Sequence, residues 1–233
     1  MSLSQEPAFS ALKQYFVCGY RDISNQPYCG MSGRHEVSGK ATRTTNGAGP
    51  HNIQLFMLAP DGTVLNVLPG YWNSQDLVPE MRLAYQLDQV WENPKLSRSQ
   101  KDQYFRQMQM DHISKHSPAM VRRSHMQGFD AQYEAKTRLA TTDVIKDKDA
   151  VRSALNMNQM VPMSAFKTTD EIMHERLASH PFEQYQYFNV AAFCDYGKQK
   201  YDKHEDSFDS HGTLIKQREA SEPQLGGWGN HRW

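Results

Sequence analysis

The chain has 233 residues with 26 basic and 26 acidic side chains, so its formal net charge is zero, and its isoelectric point lies near 7.2. Such a balance gives no overall field for gripping nucleic acid or a charged membrane surface, and no stretch reaches the roughly 18 apolar residues of a membrane helix. Hydrophobic residues make up 38%, aromatics 11%, and mean hydropathy is −0.76, which reads as an ordered protein with a modest core and a large wet surface.

The first residues lack the charged and apolar regions of a signal peptide. The expected location is cytoplasmic, or exported with a signal removed. Residues 9–14 suit a short helix, and residues 15–20, aromatic and β-branched, read as a strand. Residues 21–50 are polar and Gly-rich and read as a long irregular loop. A buried strand is expected over 51–58. Pro60, Asp61 and Gly62 supply the turn chemistry, and 63–68 forms the returning strand of a hairpin. Asn73 or Ser74 can cap a helix over 75–91, whose Leu77, Met81, Leu83, Ala84, Leu87 and Trp91 lie mostly on one face. Pro94 closes this unit.

Beyond residue 95 the texture changes. Residues 98–127, rich in Gln, Met, His and charge, predict helix with a break at Pro118, and 129–138 extends it. Further helices are expected over 142–155, 169–177 and 190–201. Residues 162–167 are a connector, and 181–187 an aromatic loop. From residue 202 the chain is polar and reads as a tail. The expected fold class is α/β or α+β, with one unit over 1–94. A mostly helical extension over 95–233 packs on that unit or forms a homodimer.

Gly49 and Pro50, the strand 53–58, the Pro60-Asp61-Gly62 turn, the strand 64–68, then Gly70, Tyr71 and a helix follow an order that resembles the C-terminal half of a thioredoxin-fold domain. The likeness covers about 40 residues. It implies a reduced thioredoxin-like domain in which Pro50 is a cis proline facing a redox cysteine, and Gly70 is the glycine after the second strand. Phe16-Val17-Cys18-Gly19, the run from Asn46 to Pro50 and the run from Leu68 to Trp72 also resemble a group of bacterial proteins with a thioredoxin-like start and a long polar helical extension, a likeness that implies no activity. The chain departs from thioredoxins in having no CxxC. Cys29-Gly30-Met31-Ser32 is a CxxS version, and only 20 residues separate Cys29 from Pro50.

These features give three readings of function. In the first, Cys29, or else Cys18, is a monothiol nucleophile with Ser32 and Pro50 beside it. It acts on a protein or peptide thiol and needs no cofactor. Arg34 or His35 would favour the thiolate. Cys18 and Cys29 could instead pair with each other, or Cys18 could be a small buried hydrophobe. In the second, the fold is kept as a non-catalytic binding or assembly module. In the third, His112 and His116, four apart on one helix face, share a metal ion. Met108, Met110, Met120, His125 and Met126 surround them in sequence, and soft sulfur with imidazole would suit copper. The plainer account of that helix is Met in its core face and His on its wet side. His204, Glu205, Asp206, Asp209 and His211 form another ligand-rich run, read more simply as solvated surface. The aromatic residues of 185–201 read as a small core rather than a base-stacking platform.

Overall fold

The computed structural model describes residues 2–30 and 44–198, and the backbone of 207–208 and 214–215. Its architecture is α+β, with helices around a small hairpin. No described helix is long and apolar enough to cross a membrane. Ser32 and the residues from His204 to Asp206 lie outside the described residues.

The hairpin forms as its residues dictate. Strands β1 (Gln54–Leu58) and β2 (Val64–Pro69) pair antiparallel, with a register irregularity at Met57/Leu58. Their turn is closed by Gly62 N–H to the Ala59 carbonyl (2.9 Å), and Asp61 accepts from the Thr63 amide. Gly62 has φ +85°, the left-handed conformation the turn needs. Every residue of β2 is buried. Its free edge is taken by the aromatic loop, where Val64 N–H donates to the Glu183 carbonyl at 2.8 Å.

Helix α1 (Ala8–Tyr15) matches its expectation. The strand expected over 15–20 does not form. Val17 and Tyr20 are fully exposed, and Cys18 is exposed too. β-branched and aromatic residues favour a strand only where a partner and a packed face exist, and this segment has no ladder partner among the described residues. The bond before Pro50 is trans, and the cis X–Pro bond among the described residues is Glu6–Pro7. Pro50 instead sits second in a turn closed by Asn52 N–H to the Gly49 carbonyl (2.9 Å), a place where a trans proline presets φ.

Helix α2 (Ser74–Trp91) starts at Asn73, whose side chain accepts from the Gln75 amide. α3 (Arg98–Lys115) opens on a reciprocal capping box between Ser97 and Gln100. α4 (Pro118–Arg123) follows the expected break, with Pro118 in its first turn where its missing N–H costs nothing. α5 (Gly128–Thr137) is separate from it. α6 (Lys148–Asn156) is shorter than expected, because Ile145 pairs across to Phe166 as an isolated bridge. α7 (Thr169–Ala178) starts on a second capping box, Thr168 with Glu171. α8 spans only Val190–Phe193, with Gly197 turning away at φ +73°.

The main core gathers Val64, Val67 and Leu68 of β2, Leu77, Ala84 and Leu87 of α2, Phe105 of α3, Met173 and Leu177 of α7, and Phe182. It is thus built from both sides of residue 94. A second cluster under α5 and α6 joins Val144, Val151, Phe166, Ile172 and Tyr196.

Candidate metal centre

Helices α2, α3 and α7 meet over β2, and their facing surfaces bring together four buried or partly buried polar side chains. Glu80 comes from α2, His112 from α3, His116 from the cap that ends α3, and His174 from α7. Glu80 and His174 have no exposed surface. The Nε2 atoms of His112, His116 and His174 stand 3.0, 3.3 and 3.4 Å from one oxygen, Oε1 of Glu80. One ligand atom from each of the four side chains lies within 4.8 Å of all the others.

A second layer fixes how these rings face. Nδ1 of His116 is 2.6 Å from Oδ2 of Asp170, and Nδ1 of His174 is 2.5 Å from Oε1 of Gln109. The ionised carboxylate can only accept, so His116 donates from Nδ1. The amide nitrogen of Gln109 donates to the Leu65 carbonyl at 3.4 Å, which turns its oxygen toward His174. In the neutral rings both Nε2 atoms therefore carry lone pairs, and both point at Glu80. Asn66 donates to the other oxygen, Oε2, at 2.8 Å.

Lone pairs and a carboxylate cannot be gathered at 3.0–3.4 Å without positive charge between them. Protons supply it in part. Burial opposes ionisation of Glu80, yet the His174 charge and the hydrogen bonds of the three rings hold its carboxyl well below the usual range. Burial would lower His116, but its bonds to Asp170 and Glu80 raise it to about 9. Burial instead prevails at His174, which is lowered. A metal ion supplies the charge more completely. Nε2 of His116 is buried and faces Oε1 of Glu80 at 3.3 Å without well-aligned hydrogen-bond geometry, a contact that an ion between the two atoms would improve. An ion about 2.0–2.2 Å from each donor in a tetrahedral site sets neighbouring donors roughly 3.3–3.6 Å apart, near the 3.0–3.4 Å from Oε1 of Glu80 to the three rings, while the four donors together lie within 4.8 Å of one another.

The surroundings hold this geometry. Asn46, buried in the loop before β1, donates to Oδ2 of Asp76 at 2.8 Å and to Oγ of Ser124 at 3.2 Å. Its carbonyl accepts from Thr169 at 2.6 Å, which ties the starts of α2 and α7 to the end of α4. Arg123 grips Asp76 with two bonds of 2.6 and 2.8 Å.

No protein-family model, curated protein or solved structure matches this chain. The site is read from its own chemistry.

Of the residues singled out from sequence, His112 and His116 come together as the i, i+4 spacing predicted. Met110 is exposed and Met126 is in the other core cluster, while Met108 and Met120 line the cleft beside His112 and His116. The nitrogen and oxygen donors that converge are three imidazoles and a carboxylate. Cys18, Cys29 and Cys194 are free thiols. Cys29 lies in a turn, and Gly30 N–H donates to the His51 carbonyl at 3.0 Å, beside Pro50. Burial and the Asp22 charge push the Cys29 thiol up, opposite to an activated nucleophile.

Glu80 and His174 were not anticipated. Each carried a signal. Glu80 interrupts the apolar face of Leu77, Met81 and Ala84, and His174 follows Ile172 and Met173 on a helix whose buried face continues to Leu177.

Proposed function

We propose that this protein binds one divalent transition-metal ion through Glu80, His112, His116 and His174. The observation that carries this is the convergence of three imidazole Nε2 atoms on one oxygen of the fully buried Glu80, with two of the rings turned there by Asp170 and Gln109. Such partners on the far ring nitrogen are the usual company of metal-bound histidine. A nitrogen-rich set without sulfur suits zinc, iron, cobalt, nickel or copper(II) rather than calcium or magnesium. The test is metal content of the full chain after reconstitution and desalting. One equivalent is expected in the wild type, and a large loss in His174→Ala and His116→Ala. A wild type that retains no metal, or variants that retain as much, would overturn the reading.

A monothiol role for Cys29 in a thioredoxin-like setting is the second reading. The contact of Gly30 with His51 favours it, since it sets Cys29 next to the Pro50 turn. It requires a thiol that reacts below the ordinary cysteine range, which alkylation against pH measures.

A further inference from the structure

We infer that the metal keeps an exchangeable position toward solvent and takes an oxyanion there, a carboxylate or phosphate group, held by Arg82 and Lys115. This rests on the metal-binding reading above.

The four donors are not equally accessible. A cleft of about 590 Å³ runs between α2, α3 and α4, and His112 and His116 line it while Glu80 and His174 do not. An ion at the cluster is thus sealed on the Glu80 and His174 side and approached from the side of His112, whose side chain is 13% exposed. Structural metal sites are closed on all sides, whereas reactive ones keep a face open. Four protein donors fill a tetrahedron, so an added ligand needs a metal that expands to five or six positions. Cobalt, nickel and iron do so, and zinc can.

The cleft also has a chemical bias. Arg82, Lys115 and Arg123 line it together with the carboxylates Asp76 and Asp111. Arg123 is committed to Asp76, but among the described residues no carboxylate pairs with Arg82 or Lys115. Two uncommitted cations beside a divalent ion outweigh the one remaining acid. Cation and metal together are the arrangement that recognises a carboxylate or phosphate. The volume suits a small molecule rather than a polymer. Leu83, Met108 and Met120 give it an apolar side, so the oxyanion can carry a short apolar body.

The experiment loads the full chain with one equivalent of cobalt(II) and follows its visible spectrum while inorganic phosphate or acetate is added. The expected result is a saturable spectral change. In the Arg82→Ala, Lys115→Ala double variant cobalt still loads, but the anion binds more weakly by about tenfold or more. If cobalt loads and its spectrum ignores both anions, or if the double variant binds them equally well, the inference is overturned while the metal site stands. If cobalt does not load, the metal reading falls and the inference with it.

Discussion

Two buried carboxylates in this molecule show opposite behaviour. Glu80 on α2 is 0% exposed and Asp130 on α5 is 3% exposed. Glu80 faces three imidazoles and the Asn66 amide, and its carboxyl is held well below the usual range although burial pulls it up. Asp130 accepts the Lys198 amide at 3.0 Å and stands one turn from Glu134. Burial pushes it up to about 7, the Lys198 bond resists, and the Glu134 charge adds to the rise. Depth is the same at the two sites, so the company each acid keeps decides whether it is charged. A charged acid at full burial, with three ring nitrogens around it, is poised for a cation; Asp130 is poised for a proton.

The largest test of this contrast removes the charge at the first site. Glu80→Ala leaves three imidazoles, that of His174 fully buried, and the Asn66 amide without their anion. In the metal-free protein it should cost roughly 3–5 kcal/mol, as breaking one side of a buried ion pair does, read from urea unfolding. Glu80→Gln keeps the volume and should fold better, yet still lose most metal affinity. A Glu80→Gln protein that held metal as tightly as the wild type would remove Glu80 from the ligand set. Next comes the outer layer. Asp170→Asn should weaken metal affinity about 10–100-fold, because His116 loses the carboxylate that orients it. Competition against a chromophoric chelator measures this, and an unchanged affinity would mean that the 2.6 Å contact has no hold on the ring.

At the second site the prediction concerns pH. Folded Asp130 keeps its proton to about 7, against 3.8 for the free side chain. Between those values the native state binds more protons than the unfolded one. Its contribution to stability is therefore complete below pH 3.8 and is lost as pH rises through about 7. The loss should approach 1.4 kcal/mol per pH unit, roughly, within that window. Asp130→Asn should remove that slope, seen as the difference between wild-type and variant unfolding free energies across pH. A difference that does not vary with pH would show that Asp130 ionises as readily in the folded protein as in the unfolded chain.

The sequence carried local features well and convergent ones poorly. The hairpin was legible because Pro60, Asp61 and Gly62 fix its turn, and α2 because Asn73 caps it and its apolar residues repeat on one face. The pair His112 and His116 was legible because helix spacing alone brings it together. The other half of the site was not, since Glu80 and His174 reach it from helices 32 and 58 or more residues away in the chain. Only the packing of α3 against α7 and α2 joins them. Their trace was a charged or polar residue on an otherwise apolar face, a position that costs free energy unless it is paired. The strand expected over 15–20 failed for the converse reason. Its composition favoured extension, but pairing depends on a neighbour the composition does not contain.

The thiols extend the contrast and give its smallest test. They too shift toward the neutral form when buried without a dominant opposite charge. Cys194, fully buried, is pushed up to about 12 by burial, and the Arg176 charge offsets little of it. Cys29 is half-buried and raised for the same reason, with Asp22 adding to it. Cys29→Ser should therefore change stability by less than about 1 kcal/mol, since the bond from its Sγ to the neighbouring Gly30 carbonyl, at 3.5 Å, is local and a serine hydroxyl can replace it. Peptide-resolved alkylation of the wild type should modify exposed Cys18 before Cys29. The Cys29 rate should climb only above about pH 8.5, where an ordinary thiol ionises. Rapid modification of Cys29 near neutral pH would require a cation beside it that outweighs burial and Asp22. It would also move the reactive centre of the protein from the histidine cluster to the Pro50 turn.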